Sequence, residues 1–184
     1  MVGISTIDDL DIILILLKGE KHVRGIADEL KESHSTTLER LHRLEKEDAV
    51  DFRTQGKNKI YSIKKTLQAK NYVFNAERYK LMKLLKKYPE MSIIISDILK
   101  ASSERLVILF GSYAKFSAKK ESDIDIYAET RSRKAKEKIE AVHSKIKSKI
   151  GEFDLDSLLI KEIIKNHIIL RGIEDFYDKT KFFE

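Results

Sequence analysis

Residues 105–127 read RLVILFGSYAKFSAKKESDIDIY, and this stretch decides how the second half of the chain is built. RLVILF (105–110) is short and apolar with β-branched content, so it reads as a buried strand. Gly111 follows, where a tight turn and a close backbone approach to a phosphate call for a residue without Cβ. Ser112 supplies a hydroxyl and an amide and opens a helix whose N-terminus favours anions. After a spacer, DIDIY (123–127) alternates with period two. Strand residues two apart share a face, so Asp123 and Asp125 present two carboxylates together. Such a pair repels itself unless a divalent cation lies between. Mg²⁺ (or Mn²⁺) fits, because it takes oxygen ligands and is shared between carboxylates and substrate phosphates.

Outward from this stretch, Lys134–Ile150 reads as a helix with Ala135, Ile139, Val142, Ile146 and Ile150 on its apolar side. Phe153–Leu155 reads as a third strand, Glu162–Asn166 as a short helix and His167–Leu170 as a fourth strand. His143 and His167 have no metal-ligand spacing and are expected to be structural. Upstream, helices are expected over about 92–102 and 67–87, the latter stopping before Pro89, the only proline. These form an expected linker, 67–102, before a domain at 103–184.

The first 66 residues carry a different pattern. Thr6 can cap an apolar helix running through Leu10, Ile12, Ile13, Leu14, Leu16 and Leu17. A second helix is expected at about Val23–Lys31, then a turn at Ser33-His34-Ser35, and a third helix capped by Ser35 with Leu38, Leu41 and Leu44 at helical spacing. Residues 49–53 and 59–63 read as the two strands of a hairpin turning at Gln55–Asn58. The expected fold class is α+β.

Gly-Ser, a spacer and Asp-x-Asp between strands resembles the polymerase-beta-like nucleotidyltransferase superfamily, most closely its minimal members, over about Leu106–Phe176. The resemblance implies a small mixed-sheet domain in which Gly111 and Ser112 hold a nucleoside triphosphate, ATP being the expected one. Lys115 in the spacer could meet the same phosphates. Tyr113 is as well suited to packing as to stacking on a base. The resemblance further implies that Asp123 and Asp125 bind metal. In that family a third carboxylate comes from a later strand, often as apolar-Asp-Leu. Phe153-Asp154-Leu155 matches, so Asp154 is the implied third catalytic and metal-binding acid, with Asp156 its rival. Larger relatives carry a helical domain that holds the base or acceptor, and no such segment is evident here. A dimer partner, the linker helices or another protein is expected to complete the site.

The order of elements over residues 7–65 resembles the winged helix-turn-helix family. That resemblance implies DNA contact by the third helix and the hairpin, through Ser35, Thr36, Thr37, Arg40, Arg43, Arg53, Lys57 and Lys59.

Bulk properties agree with an anionic partner. The chain has 184 residues, 36% charged and 42% hydrophobic, with a formal net charge of +6. It has no cysteine, which excludes disulfides and thiolate metal sites, and no apolar run long enough for a membrane helix. A cytoplasmic location is expected. Three roles are consistent with these features: an Mg-dependent transferase acting on a protein, small molecule or nucleic-acid end; a DNA-binding regulator whose transferase-like domain senses nucleotide; and the antitoxin-like member of a toxin–antitoxin pair. A homodimer is compatible with each.

Overall fold

The computed structural model describes residues 9–184. The expected cap at Thr6 lies outside them. The chain divides into two compact units between Tyr79 and Lys80, inside one long helix. The stretch 67–102 is therefore not a separate linker: its first part belongs to one unit and its last part to the core of the other.

In the first unit, α1 (Asp9–Leu16), β1 (Lys21–His22), α2 (Val23–Leu30) and α3 (His34–Lys46) precede the hairpin β2 (Val50–Gln55) and β3 (Asn58–Ile63). Gly56 takes a φ of +61°, and the Gln55–Asn58 pair closes a two-residue turn. β1 adds a third strand against β3, too short to be read from sequence. Ile12, Ile13, Leu16, Ile26, Leu41, Leu44 and Tyr61 form the interior. The cap of α3 is Ser33, not Ser35: its Oγ accepts from the Thr36 amide at 3.1 Å. Ser35 lies within the first turn, its hydroxyl 2.9 Å from that of Ser33.

α4 (Leu67–Lys87) starts in the first unit and ends in the second, and α5 (Met91–Ala101) follows. The second unit then runs β4 (Val107–Phe110), α6 (Gly111–Ala114), β5 (Ile124–Glu129), α7 (Arg133–Glu140), β6 (Ile146–Gly151), α8 (Leu158–Lys165), β7 (Ile168–Arg171) and α9 (Ile173–Lys179). The sheet is mixed, in the order β6-β5-β4-β7: β4 is antiparallel to β5 and β7, and β5 is parallel to β6. One face carries Val107, Leu109, Ile124, Ile126, Ala128, Ile146, Ile168 and Leu170, in one core with Leu84, Met91, Ile95, Ile98 and Ile139 from α4, α5 and α7. No helix is long and apolar enough to cross a membrane among the described residues.

The expected helix 134–150 and strand 153–155 are both corrected. α7 stops at Glu140, and β6 takes the second half of that segment. Ile146 and Ile150 fit a helix at i, i+4 and equally a strand at i, i+2, i+4 with Ser148 between. The free edge of β5 decides, since six residue pairs join β5 to β6 in parallel. The Glu140 carboxylate then accepts from both the amide and the hydroxyl of Ser148, at 3.1 and 3.0 Å, and so ties the end of α7 to β6. These bonds hold the Glu140 carboxyl below its ordinary value. A depressed carboxyl contributes stability that is present above the ordinary glutamate range and lost as pH falls through and below it. Glu140→Gln is therefore expected to lower stability near neutrality and to leave it close to that of the parent at acid pH, which flattens the acid limb of a stability–pH curve followed by thermal unfolding.

Gly172 joins β7 to α9 with a φ of +85°, and a Cβ there would lie 2.4 Å from the Arg105 carbonyl oxygen. That backbone atom cannot swing away. Gly172→Ala is expected to destabilise the second unit by more than the roughly 1–2 kcal/mol of left-handed backbone alone, read as a lower urea midpoint.

Candidate active site

β4 ends at Phe110, which pairs with Asp125 on the antiparallel β5. This register puts the turn after β4 beside the start of β5, although the spacer separates them in sequence. Gly111 has a φ of +68°, and a Cβ on it would fall 2.1 Å from Asp125 Oδ2. The carboxylate of Asp125 thus occupies the space that the missing side chain leaves. Asp123, just ahead of β5, is exposed, and Asp125 is half-buried. Burial, and then the nearby charge of Asp123, push the Asp125 carboxyl above the ordinary range; the Lys149 ammonium acts in the opposite direction. Asp125, whose charge is disfavoured beside Asp123, makes with it a fitting pair of ligands for one divalent cation.

Within the spacer, local hydrogen bonds set the path of the chain. Ser112 places its carbonyl to accept from the Ser117 amide at 3.0 Å, and Lys119 donates its amide to Ser122 Oγ at 2.9 Å. Tyr113 is buried and packs edge-on against Tyr88 at 5.0 Å between centroids, so it serves packing. Lys115 pairs with Glu162 of α8 at 2.6 Å, which lowers the Glu162 carboxyl. His167 is buried with Nδ1 3.0 Å from the Ile163 carbonyl, and His143 Nδ1 accepts from the Lys145 amide at 3.1 Å.

The structure does not bring Asp154 or Asp156 to this pair. β5 and β6 are parallel, and Glu129 at the far end of β5 pairs with Gly151. Phe153 beyond it donates its amide to Glu129 Oε1 at 3.3 Å. From Asp125 to Glu129 is four residues, or about 13 Å of strand. Tyr127 stands between them on the same face, buried, its hydroxyl donating to the Gly151 carbonyl at 3.0 Å. Tyr127, Phe153 and Phe176 pack edge to face across that end. Asp154 instead accepts the Asp156 amide at 3.0 Å, shaping the turn before α8. Among the described residues no three His, Asp or Glu side chains are grouped to hold a metal ion. The donor set therefore fits one cation on Asp123 and Asp125, and among the described residues no third carboxylate joins them.

What β6 does place there are lysines. Lys147 pairs with Asp125, and Lys149 with Tyr127. Both are exposed, while Ile146 and Ser148 between and before them are buried on the opposite face. The period-two alternation of IKSKI (146–150) was the signal that could have found them.

In the first unit, two of the side chains expected to meet DNA point inward. Thr37 is fully buried, and Arg40 is 5% exposed, with its guanidinium bonded to Asp9 at 3.1 Å and to Glu32. They face inward because α3 packs on α1 and α2 through the same stripe as Leu41 and Leu44. Arg43 is half-exposed but is held by Asp9 at 2.9 Å, and Arg53 is held by Glu20 at 2.8 Å. Ser35, Thr36, Lys57 and Lys59 are exposed, with the Lys59 ammonium 3.7 Å over the Phe52 ring.

No curated protein and no solved structure matches the chain. The sequence profile of the family described as Polymerase beta, Nucleotidyltransferase matches residues 80–179, which is more than half of the chain and nearly all of the second unit. With the Gly-Ser turn and the acidic pair juxtaposed inside the matched segment, the chain belongs to the Polymerase beta, Nucleotidyltransferase family.

Proposed function

We propose that this protein transfers a nucleoside monophosphate from a nucleoside triphosphate, ATP in our reading, to an acceptor hydroxyl, with pyrophosphate leaving. The observation that supports this is the seating of the Asp125 carboxylate against Gly111, with Asp123 two residues before it. Gly111 makes the tight turn at the end of β4, and Ser112 adds a hydroxyl and an amide. Asp123 and Asp125 would hold a Mg²⁺ ion, which when bound neutralises phosphate charge and polarises the phosphorus under attack. The rest is positioning: the buried β4–β5 pair fixes the turn and the carboxylates relative to each other, so that neither must be ordered when substrate arrives.

The test uses ATP labelled at the α-phosphate, Mg²⁺ and cell extract as the source of acceptor. Label is expected to pass to an acceptor with the parent protein and not with Asp123→Ala/Asp125→Ala. Absence of transfer by the parent would overturn the proposal.

A second reading concerns residues 9–79. The order of three helices and a hairpin supports a winged helix, and the exposed Ser35, Thr36, Lys57 and Lys59 are its available DNA contacts. If Lys57 and Lys59 meet phosphates, replacing both with Ala should reduce the slope of log affinity against log salt by nearly 2, at about 0.9 for each phosphate contact. An unchanged slope would remove the hairpin from the interface.

A further inference from the structure

We infer that Lys149, flanked by Lys147, takes the place of the missing third carboxylate and of the cation it would hold, so that the triphosphate is bound partly by lysine. This rests on the proposed reading of the site as a triphosphate site. Its basis is the register of β6. Lys147 lies directly beside Asp125 on the parallel neighbour, and Lys149 lies on the same face two residues on. By strand geometry the Lys149 Cα is roughly 8 Å from that of Asp125, within reach of a four-carbon side chain turned along the strand. The opposite face of β6 is spoken for, since Ile146 is in the core and Ser148 is bonded to Glu140. Lys149 is therefore directed to the carboxylate side and remains exposed there, whereas the charge of Lys147 is felt at Glu140. The field of Lys149 at the Asp125 carboxyl is consistent with this placement.

The charge balance follows. Asp123 and Asp125 contribute two negative charges, and Lys149 offsets one of them. A site with three carboxylates and no lysine would repel a triphosphate until divalent cations arrived. This one carries less negative charge, and the Lys149 ammonium is a natural partner for phosphate oxygens. Nucleotide binding should thus persist without a divalent cation, and that persistence should depend on Lys149.

Isothermal titration of the full chain with an ATP analogue bridged by methylene between its α- and β-phosphates tests this, with Mg²⁺ and with EDTA. The parent is expected to bind in both, with Kd values within about tenfold of each other. Lys149→Gln should weaken binding in EDTA by about tenfold or more, and Lys149→Arg should largely restore it. Circular dichroism checks that the variants fold, which an exposed strand position favours. Binding by the parent only in Mg²⁺, or equal binding of Lys149→Gln and parent in EDTA, would overturn the lysine assignment and leave the nucleotide site standing. No binding of the analogue in either buffer would overturn both.

Discussion

Gly111→Ala is expected to lose nucleotide transfer by about 100-fold while the second unit stays folded. Two costs arise, and they fall in different places. The left-handed φ of +68° costs an alanine about 1 kcal/mol relative to glycine. That is affordable for a unit whose core includes Leu109, Ile124, Ile126 and Ile168. The second cost is contact, with the new Cβ placed 2.1 Å from Asp125 Oδ2 and 3.0 Å from its Cγ. These are the outer atoms of a side chain that can rotate, so the overlap is relieved by moving the carboxylate. The consequence is misplacement of the proposed metal-binding carboxylate rather than unfolding, and a displacement near 1 Å can cost about 100-fold in rate. The α-label transfer assay reads the activity and urea unfolding reads the fold. A double-mutant cycle separates the terms: in an Asp125→Ala background, Gly111→Ala should cost only the backbone part of its stability penalty. Equal penalties in both backgrounds would show that the contact does not fix the carboxylate.

The largest effect on stability is expected at Asp9. Its fully buried carboxylate accepts from Arg40 Nε at 3.1 Å, Arg43 Nη2 at 2.9 Å and Arg43 Nε at 3.2 Å. Arg40 itself is buried and also pairs with Glu32. Asp9→Ala removes the fully buried carboxylate that both Arg40 and Arg43 bond, and breaking such a buried pair costs about 3–5 kcal/mol. Urea unfolding of the full chain should show an early transition for the first unit, with that of the second unit unmoved. Asp9→Leu combined with Arg40→Met should recover much of the loss, because removing both charges restores an apolar contact without leaving either alone. A single unshifted transition in Asp9→Ala would mean that the pair carries no net stability.

The elements of the candidate site are legible in the sequence alone. Gly111-Ser112 and Asp123-Ile124-Asp125 are local patterns: a turn that needs glycine and a strand that alternates. Both are dictated by residues within a few positions of each other, so the sequence displays them directly. The helices of α4 and α5 and the Gln55–Asn58 turn are legible for the same reason.

The rest depended on partners far along the chain. IKSKI satisfies helical and strand spacing alike, and only the hydrogen-bonding edge of β5 selects the strand. That choice moves Asp154 to the far end of the sheet and Lys147 and Lys149 to the near end. Likewise, Arg40 and Thr37 belong to the basic and polar side chains of α3 by sequence, and only packing on α1 shows that they face inward. A residue's type and spacing determine which chemistry it could do. Pairing register and burial decide which residues meet, because those depend on contacts between segments whose separation no local pattern encodes.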